Sequence, residues 1–396
     1  MQPVWVACRP ELVYEITVKQ FSHFEDHPIS VDERNPLECH LFSMRGGKWR
    51  ALRNKILPAF TTGKLRGMLP SMHRAADELI GLLEAECAPR GETDADARDL
   101  MVRYTIDVVG SCAFGFQPTA LKDPDCELRR MGKRVFQPSP RQLLAYVLRS
   151  LYPDIISYLH IKTYPQDLED YFFGIFGAAF EHRRRTGQSR KDFVQILLEL
   201  KDKGGIEVDP RDKQEPKTNN VSNNVQRHLS AEITDKLLMA QAFLFFNAGY
   251  DTTATTLGYT LYHLACHPEC QRKVRREIED AKKRRGGAID FEALKNLNYL
   301  EACIYEAQRL NPPVEFLFKK CTKACGLDGG KYPVEEGMMV MIPLKAIHHD
   351  PGNFPDPEVF RPERFLVGDN MDGKFLTFGE GPRMCIGELV LLLQCP

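Results

Sequence analysis

Apolar residues recur every three or four positions along most of the chain, which is the spacing of one helix face. The pattern predicts helices over 63–86, 99–114, 168–185, 192–203, 230–267, 268–285 and 291–310. Ser230 and Thr234 stand ahead of the longest apolar run and are candidate N-caps, since a hydroxyl there accepts from the first free amides of a helix. Strand signals are few: 338–342, after the turn-like Glu336-Gly337, and a shorter one near 12–17. The segment 204–228 is polar and carries Asn219-Asn220 and Asn223-Asn224, so it reads as a mobile surface loop between two helical blocks. From 343 to 363 the chain is proline-rich and irregular. The fold class that follows is mainly α with a small β portion.

Composition narrows this picture. The 396 residues include 43% apolar ones, enough for one large α-rich domain with a sizeable core. Charged residues make up 27% and the net charge is −1, without the basic excess expected of a nucleic-acid binder. The short basic clusters 129–134, 182–185 and 282–285 read as solvated helix faces or ends. Twelve cysteines are spread without regular spacing, and C-x-x-C is absent. Cys266 with Cys270, and Cys321 with Cys325, are four apart but lack a second pair at zinc-site distance. They read as buried structural thiols in a reducing compartment. The chain opens Met1-Gln2-Pro3 with no leader-like apolar run, and nowhere holds the ~18 uninterrupted apolar residues of a membrane span.

Four motifs carry chemistry. The sharpest runs from Phe378 to Gly387 and has the form F-x-x-G-x-x-x-C-x-G around Cys385; its chance occurrence in such a chain is on the order of 10⁻³ from residue usage. Its glycines allow a tight turn and a close approach to a flat ligand. Cys385 opens an apolar helix over 386–393, and a helix N-terminus favours the thiolate, the form that binds metal. Amide N–H groups of the loop can hydrogen-bond the sulfur and tune its donor strength. The second motif is Glu306-Ala307-Gln308-Arg309, a pair three apart on one helix face. By itself it is an ordinary surface ion pair; Pro362-Glu363-Arg364-Phe365 further along raises its interest. The third, Ala248-Gly249-Tyr250-Asp251-Thr252-Thr253, interrupts a long apolar helix. Ala248 and Thr252 share a face and form a notch, Thr252 can bond its own i−4 carbonyl, and Asp251 needs solvent or a partner. The fourth is Trp49-Arg50-Ala51-Leu52-Arg53, whose indole and guanidinium share a face suited to carboxylates.

In this order, W-x-x-x-R, A-G-x-[DE]-T, E-x-x-R, P-E-R-F and the cysteine loop resemble the cytochrome P-450 superfamily, over about 10–387 of the chain. The segments 48–65, 104–115 and 244–268 look like those of animal microsomal, xenobiotic-metabolising members of arthropod character. The resemblance implies a single haem domain over 1–396, with Cys385 as the axial thiolate. It gives haem-propionate contacts to Trp49, Arg53 and Arg383, shielding of the sulfur to Phe378, and the oxygen side to Ala248 and Gly249. Gly387 closes the haem loop. Asp251 and Thr252 manage proton delivery, while Glu306, Arg309 and Arg364 form a structural ion network. The implied activity is insertion of one oxygen atom of O₂ into an apolar small molecule such as a xenobiotic, lipid or hormone. Electrons come from NADPH through a reductase, with cytochrome b5 as a further partner. The implied setting is the cytoplasmic side of the endoplasmic reticulum membrane. Phe245, Phe246, Val314 and Phe316 are candidates for the apolar substrate pocket.

Departures from the family pattern carry their own expectations. Where the family often has an arginine after the Pro312-Pro313 turn, this chain offers Lys319, which keeps charge but loses the planar fork. Leu389 and Leu391 stand where the family has a basic residue and an alanine. The resemblance also implies that the P-450 fold is truncated at both ends, lacking a membrane anchor and a C-terminal segment. Two competing readings follow: an incomplete, non-catalytic haem-binding fragment, and a reductase-independent haem-thiolate isomerase.

Overall fold

The computed structural model describes residues 3–29, 35–140, 142–144, 148, 162, 164–188, 190, 192–202, 206–207, 230–231, 233–287, 289–366 and 371–394. The predicted loop 204–228 lies outside them except for 206–207. Helices dominate, and the predicted ones appear at Thr62–Cys87, Ala97–Val109, Gln166–Thr186, Phe193–Asp202, Asp235–Cys266, Pro268–Arg284 and Asn298–Leu310. The mainly α architecture with a small β portion is therefore present.

The differences have local causes. Thr234, not Ser230, caps the long helix: its Oγ1 accepts from the Leu237 amide at 3.2 Å, so the helix starts at Asp235. Ser230–Ala231 instead pairs antiparallel with Ile206–Glu207. The segment expected as a strand near 12–17 is helical, Pro10–Tyr14 running into a π-turn over Glu15–Lys19. Leu12, Val13, Ile16 and Thr17 are all buried, and those positions lie on one helix face, not on alternate sides of a strand. The run 291–310 divides into Phe291–Leu294 and Asn298–Leu310, the second started by Glu277, whose carboxylate accepts from the Tyr299 and Leu300 amides at 2.9 and 3.0 Å. The irregular stretch beyond 343 contains a short helix, Leu344–His348. Cys270 and Cys321 are buried as expected, whereas Cys266 is exposed.

The long helix Asp235–Cys266 is the axis of the fold. It packs along Ala97–Val109, and Thr105 Oγ1 donates to the Tyr250 carbonyl at 2.9 Å across that contact. On one side lies an aromatic core in which Phe172 meets Phe243 and Phe246 at 5.0 and 5.8 Å between ring centroids. At the other end of the molecule, Met339–Pro343 forms the middle strand of a three-stranded sheet. It is parallel to Val4–Val6 and antiparallel to Phe316–Lys320. Strand alternation turns Leu317 and Lys319 inward and leaves Phe316 and Phe318 exposed.

Candidate active site

The cysteine loop is folded by its own backbone. The Cys385 amide donates to the Phe378 carbonyl at 2.8 Å, and the Met384 amide to Gly381 at 2.9 Å. Gly379 and Gly381 both have φ of +70°. At Gly381 a Cβ would also lie 2.1 Å from the Thr17 carbonyl oxygen, so only glycine passes beneath the Glu15–Lys19 turn here. The helix behind the cysteine starts at Glu388, later than the predicted 386, and ends at Leu393.

Cys385 faces inward. Its side chain is accessible and lines a cavity of about 390 Å³. Burial pushes its thiol up, against the pull of the Gly387 amide, which donates to Sγ at 3.3 Å, and of Arg53. The expected lowering by the helix end is thus outweighed in the free thiol, because six residues make a short helix and desolvation disfavours any charge. Metal ligation reverses that balance, since the cation neutralises the sulfur.

The cavity gathers most of the residues expected at the site: Trp49, Arg53, Ala248, Gly249, Thr252, Phe378, Arg383, Cys385 and Gly387 all line it. Thr252 Oγ1 donates to the Ala248 carbonyl at 2.6 Å, the i−4 bond expected from its position. Asp251 is not on the wall. One residue on a helix turns the side chain by ~100°, and Asp251 lies on another side, 3.7 Å from Arg98. Burial raises its carboxyl while Arg98 lowers it. Gly249 packs closely: a Cβ would come 3.1 Å from Val109 Cγ2, so Val109 would have to give by a few tenths of an ångström.

One end of the cavity is cationic. The Arg383 guanidinium donates to the Glu25 and Met44 carbonyls at 2.8 and 2.7 Å and stacks 4.0 Å from the Trp49 ring centroid. Burial pushes Arg383 down to about 10 against the pull of Asp26 and Glu25. Arg53 donates to the Met384 carbonyl at 2.7 Å. Lys319 is inside, only 4% exposed, with no hydrogen-bond or ion-pair partner among the described residues. His27, which the sequence did not single out, completes the group. Its Nδ1 lies 3.1 Å from the Phe318 carbonyl, and burial with Lys319 and Arg383 pushes it down to about 3.

The apolar walls come partly from unexpected places. Met68, Met72 and Val108 line the cavity from two helices and Cys112 from the π-turn Gly110–Phe114 that follows the second; their i, i+4 spacing was visible but does not separate a cavity wall from core. Of the pocket candidates, Phe245 and Val314 line it. Phe246 is buried in the aromatic core, and Phe316 is on the outer face of its strand.

The Glu306 network stands behind this wall. Glu306 and Arg309 are both fully buried, with Arg309 Nε and Nη2 donating to the carboxylate at 2.7 and 2.9 Å. The Arg361 amide and Arg364 Nε add bonds at 2.9 and 3.3 Å, and Arg309 Nη1 reaches the His348 carbonyl at 2.8 Å. The network ties the helix Asn298–Leu310 to the segment preceding the cysteine loop.

These residues fit an iron porphyrin. The apolar walls suit the macrocycle, a sulfur lining the cavity suits the metal, and the cluster of cations, one of them without an anion, suits the two carboxylates. The cytochrome P450 family profile matches residues 1–390. Among Drosophila melanogaster proteins, the chain is 32% identical to probable cytochrome P450 6d5 over 390 residues, 98% of this chain and 75% of the relative. It is 35% identical to probable cytochrome P450 6a20 over 376 residues, 94% and 71% of the two chains. To cytochrome P450 6a2 it is 33% identical over 388 residues, 95% and 72%. With arthropod relatives across nearly its whole length and a cysteine lining an apolar, cation-ended cavity, the chain belongs to the cytochrome P450 family of monooxygenases.

Proposed function

We propose that this chain holds haem in the cavity through Cys385 and oxidises apolar small molecules with electrons from NADPH, delivered by a reductase and assisted by cytochrome b5. The observation that carries the reading is the Cys385 sulfur, open to a largely apolar cavity and held by the Gly387 amide. When bound, the group supplies the redox chemistry: thiolate ligation pushes electron density toward O–O cleavage, a known property of this family.

The chain's own residues bind, orient and supply protons. Trp49, Arg53, Arg383 and Lys319 take the carboxylate edge. Phe378 covers the sulfur side, packed edge-on to Tyr305 at 6.3 Å. Ala248 and Gly249, small residues on the long helix, would leave room for the group and for oxygen at that wall of the cavity. Thr252 holds its hydroxyl proton at that wall, on the Ala248 carbonyl. Asp251, whose carboxyl is raised by burial and paired with Arg98, supplies protons from the solvent side. The apolar lining from Phe245, Met68, Met72 and Val314 selects substrates by fit and dehydration. Among the described residues no helix is long and apolar enough to cross a membrane; association with the endoplasmic reticulum, on the cytoplasmic side, is proposed from the microsomal character of the motifs.

The test is ligation. The reduced, carbon monoxide-bound spectrum of the parent has the thiolate signature, and Cys385→Ser abolishes it. A Cys385→Ser protein that keeps the signature overturns the assignment.

A further inference from the structure

Lys319 is an anomaly of charge. It projects inward from the strand Phe316–Lys320, and its ammonium has no partner among the described residues. The groups facing it are mostly basic: Arg383 from the cysteine loop, Arg53 from the helix Gly46–Ile56, and His27 from the segment before that helix. The facing acid is Asp26, and it is already engaged by the Gly46 amide at 3.0 Å and by Arg383 at 3.5 Å. A lone ammonium in such a place is costly in its charged form. Burial, with Arg383 and Arg53, accordingly pushes Lys319 down to about 7, against the pull of Asp26.

Entry of a dianion inverts this environment. A carboxylate near Lys319 stabilises the ammonium, so the side chain gains a proton with the ligand. An arginine at the same position, with a pKa above ~12, would carry its charge throughout.

We propose that Lys319 is a proton-linked anchor for a haem carboxylate, taking up a proton from solvent as the cofactor enters, so that the chain holds haem less tightly as the medium becomes alkaline. The inference rests on the haem reading above. The sign follows from linkage. Lys319 has the higher proton affinity in the loaded state, so binding takes up protons. Affinity is full below about 7, where free Lys319 is already charged. Above that it falls by up to about tenfold per pH unit, until Lys319 of the loaded protein titrates as well. His27 stays neutral through this range, since its own titration lies near 3.

The experiment equilibrates the haem-loaded protein with a competing haem-binding protein from pH 6 to 9 and reads the partition in the Soret band. Parent, Lys319→Arg and Lys319→Met are run side by side, so the competitor's own pH dependence cancels in the ratios. The Lys319→Arg to parent affinity ratio is expected to rise about tenfold per unit above pH 7. Lys319→Met should be weaker than the parent at pH 6.5 and converge on it by pH 9. Far-UV dichroism checks that each variant is folded, and if Lys319→Arg does not fold, the Lys319→Met ratio alone decides. Ratios that stay flat from pH 6 to 9 while all three proteins hold haem overturn the proton linkage alone. A folded parent that takes up no haem at any pH overturns the haem reading and this proposal with it.

Discussion

Replacing Glu306 by alanine removes the one carboxylate on which four donors converge. Arg309 gives two bonds to it, the Arg361 amide one and Arg364 one. Both members of the Glu306–Arg309 pair are inaccessible to solvent. Breaking a buried ion pair by deleting one partner costs about 3–5 kcal/mol, because the remaining charge stays desolvated. The stranded Arg361 amide adds about 1–3 kcal/mol if no water reaches it. Partial relaxation of Arg364, which also donates to the Asp356 carbonyl at 2.7 Å, offsets part of this. A net loss near 4 kcal/mol lowers the folded-to-unfolded ratio by about a thousandfold, at ~1.4 kcal/mol per tenfold. Set against a typical total of ~5–15 kcal/mol, that is a large share. Urea unfolding followed by far-UV dichroism should show a strongly lowered midpoint, and haem content per chain should fall, since the network holds the segment leading into the cysteine loop. Glu306→Gln keeps one acceptor oxygen, turns the other position into a donor and loses the charge, and should fall between the two. An alanine variant that unfolds at the parental urea concentration and keeps its haem would refute this account.

Three further outcomes are expected. Thr252→Ala, which removes the hydroxyl on the cavity wall, should keep haem but divert reducing equivalents to hydrogen peroxide; product formed per NADPH consumed is the measurement, and an unchanged yield removes Thr252 from proton delivery. Gly381→Ala puts a Cβ at positive φ against the Thr17 carbonyl, costing at least the ~1–2 kcal/mol of a left-handed L-residue. It should lower both thermal midpoint and haem content, and a parental midpoint would show that the loop yields freely. Acid stability depends on buried imidazoles: His40 is pushed down to about 4 and His348 to about 3, both chiefly by burial. Their folded values lie below the ordinary ~6.5, so the stability they contribute is complete above pH 6.5 and is lost as pH falls toward 4 and 3. Unfolding free energy should drop by up to ~1.4 kcal/mol per pH unit for each imidazole in that window, and His348→Gln should flatten the slope; a pH-independent free energy between 6.5 and 4 contradicts it.

Much of the fold was legible because helix periodicity is a local signal. The long helix was read to within a few residues at its C-terminal end and over-extended at the other, where a polar stretch gave two candidate caps and only hydrogen bonding at Thr234 chooses between them. The strand Phe316–Lys320 was missed because Phe-Leu-Phe-Lys-Lys does not alternate apolar with polar, although structurally it does alternate exposed with buried. The segment 12–17 was misread because a short run of Leu-Val and Ile-Thr satisfies either period. The cysteine-loop residues were legible as a motif, since glycines and a cysteine at fixed spacing report backbone geometry. His27, Met68 and Met72 were not, because nothing in a residue's own neighbourhood records that a distant loop will leave space beside it.

The same distinction bears on the proposed roles of the adjacent residues Asp251 and Thr252. In sequence they are one motif, and a shared role is the simplest reading. On the helix they face different ways: Thr252 toward the cavity, with its hydroxyl spent on the Ala248 carbonyl, and Asp251 toward Arg98 on the helix Ala97–Val109. A carboxylate at the cavity wall would be an uncompensated charge in an apolar site, and a hydroxyl on the outer side would have no reacting group within reach. Placing the acid outside, partly exposed and countered by Arg98, keeps it able to exchange protons with solvent. Placing the hydroxyl inside puts at the wall a group that is neutral in both of its hydrogen-bonding roles, which suits the proposed proton delivery. Exchanging the two residues, as Asp251→Thr with Thr252→Asp, preserves composition and is expected to lower product formed per NADPH consumed, whereas Arg98→Ala leaves the wall intact and acts on the outer carboxyl; an unchanged yield in the exchanged protein would refute the proposed division.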